Sequence, residues 1–132
     1  MLEEIDHVGI AVNDLEAAVK FYEDVFGAVV VHREAIESDG VEEALINVAE
    51  SYIQLLTPMH DESPVAKFIA KRGEGIHHIA YRVDSCADAL KSVVSHGYEA
   101  IDPLPRPGSR GTTVAFISPK SSFGTLIELV QE

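Results

Sequence analysis

The segment Ile5-Asp6-His7-Val8-Gly9-Ile10-Ala11-Val12-Asn13-Asp14 is echoed by Ile76-His77-His78-Ile79-Ala80-Tyr81-Arg82-Val83-Asp84-Ser85, so that His7 falls on His78, 71 residues later. Each copy reads as a β-rich alternating strand that runs into a capped helix. A chain that repeats such a unit is constrained to fold as two related modules. A matched histidine in each copy suggests a site shared by both. The repeat persists to the last strand of each module. Tyr52-Ile53-Gln54-Leu55-Leu56 matches Leu126-Ile127-Glu128-Leu129-Val130, setting Gln54 opposite Glu128 at a spacing of 74, so the second module carries a three-residue indel.

Between these landmarks the elements follow from periodicity. A strand is expected at residues 5–12, with Asn13 and Glu16 forming a capping box for the next helix. Leu15, Ala18, Val19, Tyr22 and Phe26 keep helical spacing until Gly27 stops it. Strands are expected at 28–36, 41–48 and 52–57, with a turn at Ser38-Asp39-Gly40. Ser63-Pro64 opens a short helix that runs through Arg72, with proline at its favoured first position. The second module reads as a strand at 76–83, a helix from Ser85 to His96, and strands near 98–102, 112–118 and 124–131. Asp102–Gly111 reads as a proline-rich loop and Pro119–Gly124 as a turn. The expected architecture is α+β, made of paired βαβββ modules in a mixed sheet. The expected organisation is a single domain over 1–132: module one at about 1–60, a connecting helix at about 63–72, and module two at about 73–132.

Composition narrows the function. The net charge of −12 argues against a nucleic-acid binder, which needs a basic footprint. The charge is uneven: residues 1–62 hold fifteen acids and two bases, whereas 63–132 hold seven acids and eight bases. The second half can therefore present local positive charge to an anionic small molecule. No apolar run approaches the ~20 residues of a membrane span. One cysteine, Cys86, allows no internal disulfide. With Met1-Leu2-Glu3-Glu4 unlike a signal peptide, the expectation is a cytoplasmic protein with no membrane partner.

In Ile53-Gln54-Leu55 and Ile127-Glu128-Leu129 a polar side chain lies between apolar neighbours. Alternation sends it to the opposite face. His7 and His78 sit likewise, and pseudo-twofold symmetry would let all four converge. Taken singly, a strand histidine is more often structural than a ligand. Four such residues at symmetric places suit a divalent metal, two imidazoles and a carboxylate being completed by an amide oxygen. Octahedral coordination would leave two positions for substrate oxygens.

These residues carry a resemblance to the vicinal oxygen chelate (glyoxalase/bleomycin resistance/dioxygenase) superfamily, whose paired βαβββ modules form a U-shaped mixed sheet around a metal site. Over nearly its whole length the chain resembles the methylmalonyl-CoA epimerases. The matching segments are Ile5–Val12, Ser63-Pro64-Val65-Ala66-Lys67-Phe68, Arg72–Ala80, Pro105-Arg106-Pro107-Gly108, Pro119-Lys120-Ser121 and Leu126-Ile127-Glu128-Leu129. The Gly-Ile-His-His-Ile-Ala run and the Pro-Lys-Ser segment are the more family-specific. By this resemblance His7, Gln54, His78 and Glu128 match the metal ligands. Strand parity and register also point to His78 over His77. Sequence alone leaves Glu42 and Glu43 open as a catalytic base; the resemblance implies Glu43, with Glu128 as the second catalytic carboxylate.

The resemblance implies interconversion of (2R)- and (2S)-methylmalonyl-CoA by 1,1-proton transfer through a metal-stabilised enolate. It implies cobalt as the metal; manganese, nickel, zinc and magnesium also suit such a site. It further implies a coenzyme A thioester substrate and a homodimer. Lys67, Lys71, Arg72, Arg106, Arg110 and Lys120 are the cations available to a nucleotide tail. Alternatives are a glyoxalase I-like isomerase, which usually has glutamate at the place of Gln54, a ring-cleaving dioxygenase, for which Gln54 is one ligand too many, and a non-catalytic small-molecule binding module, which leaves the four-residue set unexplained.

Overall fold

The computed structural model describes all 132 residues. In chain order the elements are β1 (Leu2–Ala11), α1 (Leu15–Phe26), β2 (Val30–Ile36), β3 (Val41–Val48), β4 (Ser51–Pro58), α2 (Pro64–Arg72), β5 (Gly75–Val83), α3 (Cys86–Ser95), β6 (Arg106–Pro107), β7 (Thr113–Ile117) and β8 (Ile127–Gln131). The fold is α+β, as the periodicity implies. No helix is long and apolar enough to cross a membrane.

Two compact units divide the chain differently from the sequence repeat: one is residues 8–77, the other residues 1–7 with 78–132. The boundaries fall inside β1, after His7, and inside β5, after His77.

In the 8–77 unit the strand order is β2-β3-β4-β1. The β2–β3 and β3–β4 pairs are antiparallel. One face of this sheet carries Ala44, Ile46 and Leu55, which pack on Leu15 and Val19 of α1. The helix starts differently from expectation. Its N-cap is Asp14, whose carboxylate accepts from the Ala17 N–H at 3.1 Å. Asn13 does not cap; its N–H donates to Glu74 at 2.8 Å. At the other end Gly27 adopts the left-handed conformation (φ 63°) that lets its N–H close back on the Glu23 carbonyl. On the opposite sheet face, Val41 and Leu56 pack against Val65 and Phe68 of α2. That helix is capped by Ser63 and has proline in its first turn, as expected.

In the unit formed by 1–7 and 78–132 the order is β1-β5-β8-β7-β6. Here β5 runs parallel to β8, and β7 antiparallel to it, so the sheet is mixed. Ala115, Ile117 and Leu129 pack on Cys86, Ala89 and Leu90 of α3. The strand expected near 98–102 shrinks to an isolated bridge between Ala100 and Ile117. The cause is local: the Asp102 carboxylate accepts the Phe116 N–H at 2.8 Å, taking the place of a ladder carbonyl. Pro103 then follows without an N–H to extend the pairing. Residues 106 and 107, read as loop, pair briefly with β7.

Candidate metal and acid-base site

Strand parity decides which side chains each sheet hides. In the unit of 1–7 and 78–132, Ile127 and Leu129 face α3, so Glu128 between them projects to the other face. His78 and Ala80 alternate in the same way on β5. The result is a buried cluster of His7, His78 and Glu128. His7 Nε2 lies 3.0 Å from His78 Nε2 and 2.9 Å from Glu128 Oε1, and His78 Nε2 lies 3.1 Å from the same oxygen. The two imidazoles meet edge to face with centroids 5.1 Å apart, and His78 meets Phe116 in the same manner.

Three lone-pair donors so close in a buried place need a proton or a cation among them. Ligands at right angles on one ion, about 2.1 Å from it, stand about 3.0 Å apart. The three distances match that spacing, and two imidazoles with a carboxylate form a borderline donor set for a divalent transition metal. The residues therefore fit a metal.

The electrostatics of the metal-free cluster agree. Burial pushes His7 toward its neutral form, but hydrogen bonds to Asp6 and Glu128 outweigh it and raise its pKa to about 9. Burial likewise opposes ionisation of Glu128, yet the bonds from His7 and His78 hold it far below the usual carboxylate range. His7 thus carries a positive charge beside Glu128 where a metal would otherwise supply it.

Behind His7 stands a residue that sequence reasoning passed over. Asp6 is fully buried, and its Oδ2 accepts from His7 Nδ1 at 2.7 Å. Its other contacts are Arg82, through Nη2 at 2.6 Å and Nε at 3.2 Å, and Arg110 Nη2 at 2.8 Å. Burial works against its charge, but His7 and Arg82 keep its pKa below the ordinary value. Arg110 reaches in from a loop where its own backbone is left-handed (φ 56°). A carboxylate that fixes one ring nitrogen leaves the other presented to a metal. The signal for Asp6 was available: an acid inside a β-rich run defies strand propensity, and its counterpart in the repeat is His77.

The 8–77 unit carries the other candidates. Gln54 faces away from Ile53 and Leu55, which join the α1 core. Its Nε2 donates to Glu43 Oε1 at 2.6 Å, whereas its buried Oε1 finds no hydrogen-bond partner. An orphaned buried amide oxygen is costly, and it is the atom that a hard or borderline cation would take. Of the two acids left open by sequence, Glu42 is exposed and Glu43 has no accessible surface. His77 packs edge to face on Phe68 at 5.0 Å, a structural role, while its neighbour His78 joins the cluster.

Comparison with known proteins places this geometry in a family. The Glyoxalase/Bleomycin resistance protein/Dioxygenase superfamily pattern matches residues 6–116. An ethylmalonyl-CoA/methylmalonyl-CoA epimerase of Cereibacter sphaeroides is 36% identical across 99% of both chains. The mitochondrial methylmalonyl-CoA epimerase of Dictyostelium discoideum is 35% identical over 98% of this chain and 78% of its own length. A structure of a Streptomyces coelicolor methylmalonyl-CoA epimerase variant in complex with 2-nitronate-propionyl-CoA superposes with a TM-score of 0.95, at 38% identity, over 100% of this chain and 99% of that one. The chain belongs to the Glyoxalase/Bleomycin resistance protein/Dioxygenase superfamily and, within it, to the methylmalonyl-CoA epimerase family.

Proposed function

We propose that the protein is a metal-dependent epimerase that interconverts (2R)- and (2S)-methylmalonyl-CoA. The observation that carries this reading is the His7–His78–Glu128 cluster, spaced at 2.9–3.1 Å in a chain of the epimerase family. His7, His78 and Glu128 would hold the ion, with Gln54 Oε1 as the fourth ligand. Bound there, the metal supplies Lewis-acid stabilisation to the negative charge that develops on the thioester oxygen.

The chain's own residues handle the proton. A carbon alpha to a thioester inverts when one group removes its proton and another delivers one to the opposite face. Glu43 is assigned the first role: it is a fully buried carboxylate whose Oε1 is oriented by the Gln54 amide. Glu128 is the second carboxylate, but its charge is committed to His7 and His78, and that makes it a weak base. Its ligand role therefore ranks above its role in proton transfer. The coenzyme A thioester named in the Streptomyces complex supports this substrate class. We extend the proposal to a cytoplasmic homodimer, to be checked by light scattering of the metal-loaded protein.

The deciding experiment follows C2 by NMR while the metal-loaded protein acts on either epimer in deuterated water. Interconversion with label uptake is expected. A protein that leaves both epimers unlabelled and unconverted would sink the reading.

A further inference from the structure

On the β2–β3 ladder two glutamates, Glu34 and Glu43, are direct cross-strand partners. Like charges so placed repel and weaken a sheet. His32 lies two residues from Glu34 and hence on the same face. Its Nε2 is 2.8 Å from Glu34 Oε1 and 3.8 Å from Glu43 Oε2, so one imidazole nitrogen addresses both acids. The Gln54 amide holds the other oxygen of Glu43 at 2.6 Å.

The reaction proposed above sets a requirement that this arrangement meets. After each one-way turnover Glu43 holds a proton taken from C2, and the group on the opposite face has given one up. Before the next turnover in that direction Glu43 must lose its proton. Its side chain has no accessible surface, whereas those of His32 and Glu34 are 33% and 34% exposed.

We propose that His32, backed by Glu34, relays the proton between buried Glu43 and solvent. This rests on Glu43 acting as the base. With the neutral ring carrying its hydrogen on Nδ1, His32 Nε2 turns from Glu34 to Glu43 and takes the Oε2 proton, leaving Glu43 as a carboxylate and His32 as an imidazolium. The imidazolium turns back and gives the Nε2 proton to water, directly or through part-exposed Glu34, which releases it to solvent in turn, and both side chains return to their starting state. Nothing is oxidised or reduced, and no group is consumed. The 3.8 Å gap closes to hydrogen-bond length with a movement of about 1 Å, which a half-exposed side chain on β2 can make. His32 acts through Glu43 and is a positioning and relay residue.

The test separates relay from scaffold by following isotope. Metal-loaded wild type, H32Q and E34Q are each given the two methylmalonyl-CoA epimers in deuterated water. The reaction is stopped early, and C2 deuterium is counted separately in recovered substrate and in product. With the epimer whose C2 hydrogen is taken by Glu43, wild type returns some deuterated substrate, because the abstracted proton exchanges before it is given back. In H32Q that label falls on the order of tenfold, the product stays labelled, and imidazole in the buffer restores exchange. E34Q changes in the same direction and carries the test if H32Q fails to fold. Recovered substrate from the other epimer is unchanged. Unaltered label in the variants, or a wild type that returns no deuterated substrate from either epimer, overturns the relay. A wild type that does not interconvert the epimers overturns the epimerase reading instead.

Discussion

Asp6 and His7 are neighbours on β1, yet Asp6 Oδ2 lies 2.7 Å from His7 Nδ1 and fixes which nitrogen of the ring faces His78 and Glu128. Two guanidiniums, from Arg82 and Arg110, hold the carboxylate from behind. Asp6→Asn keeps the shape and removes the charge. Metal affinity is expected to fall roughly 10- to 100-fold, read by competition against a chelating dye. Stability is expected to fall by about 1–3 kcal/mol, because the fully buried acceptor of both guanidiniums loses its charge while Glu132 remains close to both arginines, read by urea unfolding. An unchanged metal affinity would show that Asp6 serves the fold alone.

The acidity of the cluster gives a pH signature. The raised pKa of His7, about 9 against 6.5 unfolded, contributes stability to the metal-free protein that is complete below 6.5 and lost as pH rises through 9. The lowered pKa of Glu128 contributes stability present above 4.5 and lost as pH falls. These two groups therefore favour the metal-free fold most between 4.5 and 6.5. A metal must displace the proton shared with His7, so its affinity rises by about tenfold per pH unit until His7 is neutral. Adding metal should raise Tm more at pH 8 than at pH 6; calorimetry showing the reverse order would contradict the assignment.

Glu43 and His78 should fail in different ways. Glu43→Gln leaves all three clustered donors in place, so metal affinity is retained while turnover falls by about 10²- to 10⁴-fold. His78→Ala removes a ligand and is expected to lose both. Calorimetric metal titration beside the epimerisation assay checks the pair, and loss of metal in E43Q would remove Glu43 from its assigned role.

Much of this was legible because strand parity and the repeat are both properties of sequence. Alternation placed Gln54 and Glu128 away from their apolar neighbours, and the 71-residue register singled out His78 from His77. What parity could not reach was contact between strands. Nothing in the order of residues sets Glu34 across from Glu43 until β2 and β3 are paired. Nor does it show that Arg110, from a loop 104 positions on, turns its guanidinium onto Asp6. The capping box failed because two cap-forming residues are adjacent, and Asp14 rather than Asn13 faces the Ala17 N–H. The strand expected at 98–102 failed because a side chain, Asp102, replaced a backbone carbonyl.

Gly108 sits at the foot of the loop that carries Arg110, in a backbone conformation (φ −126°, ψ −163°) that any residue tolerates. The constraint on it is space: a Cβ there would stand 2.5 Å from Val114 Cγ1 and 3.1 Å from Thr112 Oγ1. Val114 cannot yield easily, because it is buried against Ala80 and Val130. In Gly108→Ala either the core gives way or the loop lifts and draws Arg110 off Asp6. A stability loss of about 1–3 kcal/mol is expected, with a weaker metal affinity alongside it. Val114→Ala opens room for the new methyl group, so the double variant should be more stable than the sum of the two single losses implies, by about 0.5 kcal/mol or more. Strictly additive losses in urea unfolding would mean that this contact is not what keeps glycine at position 108.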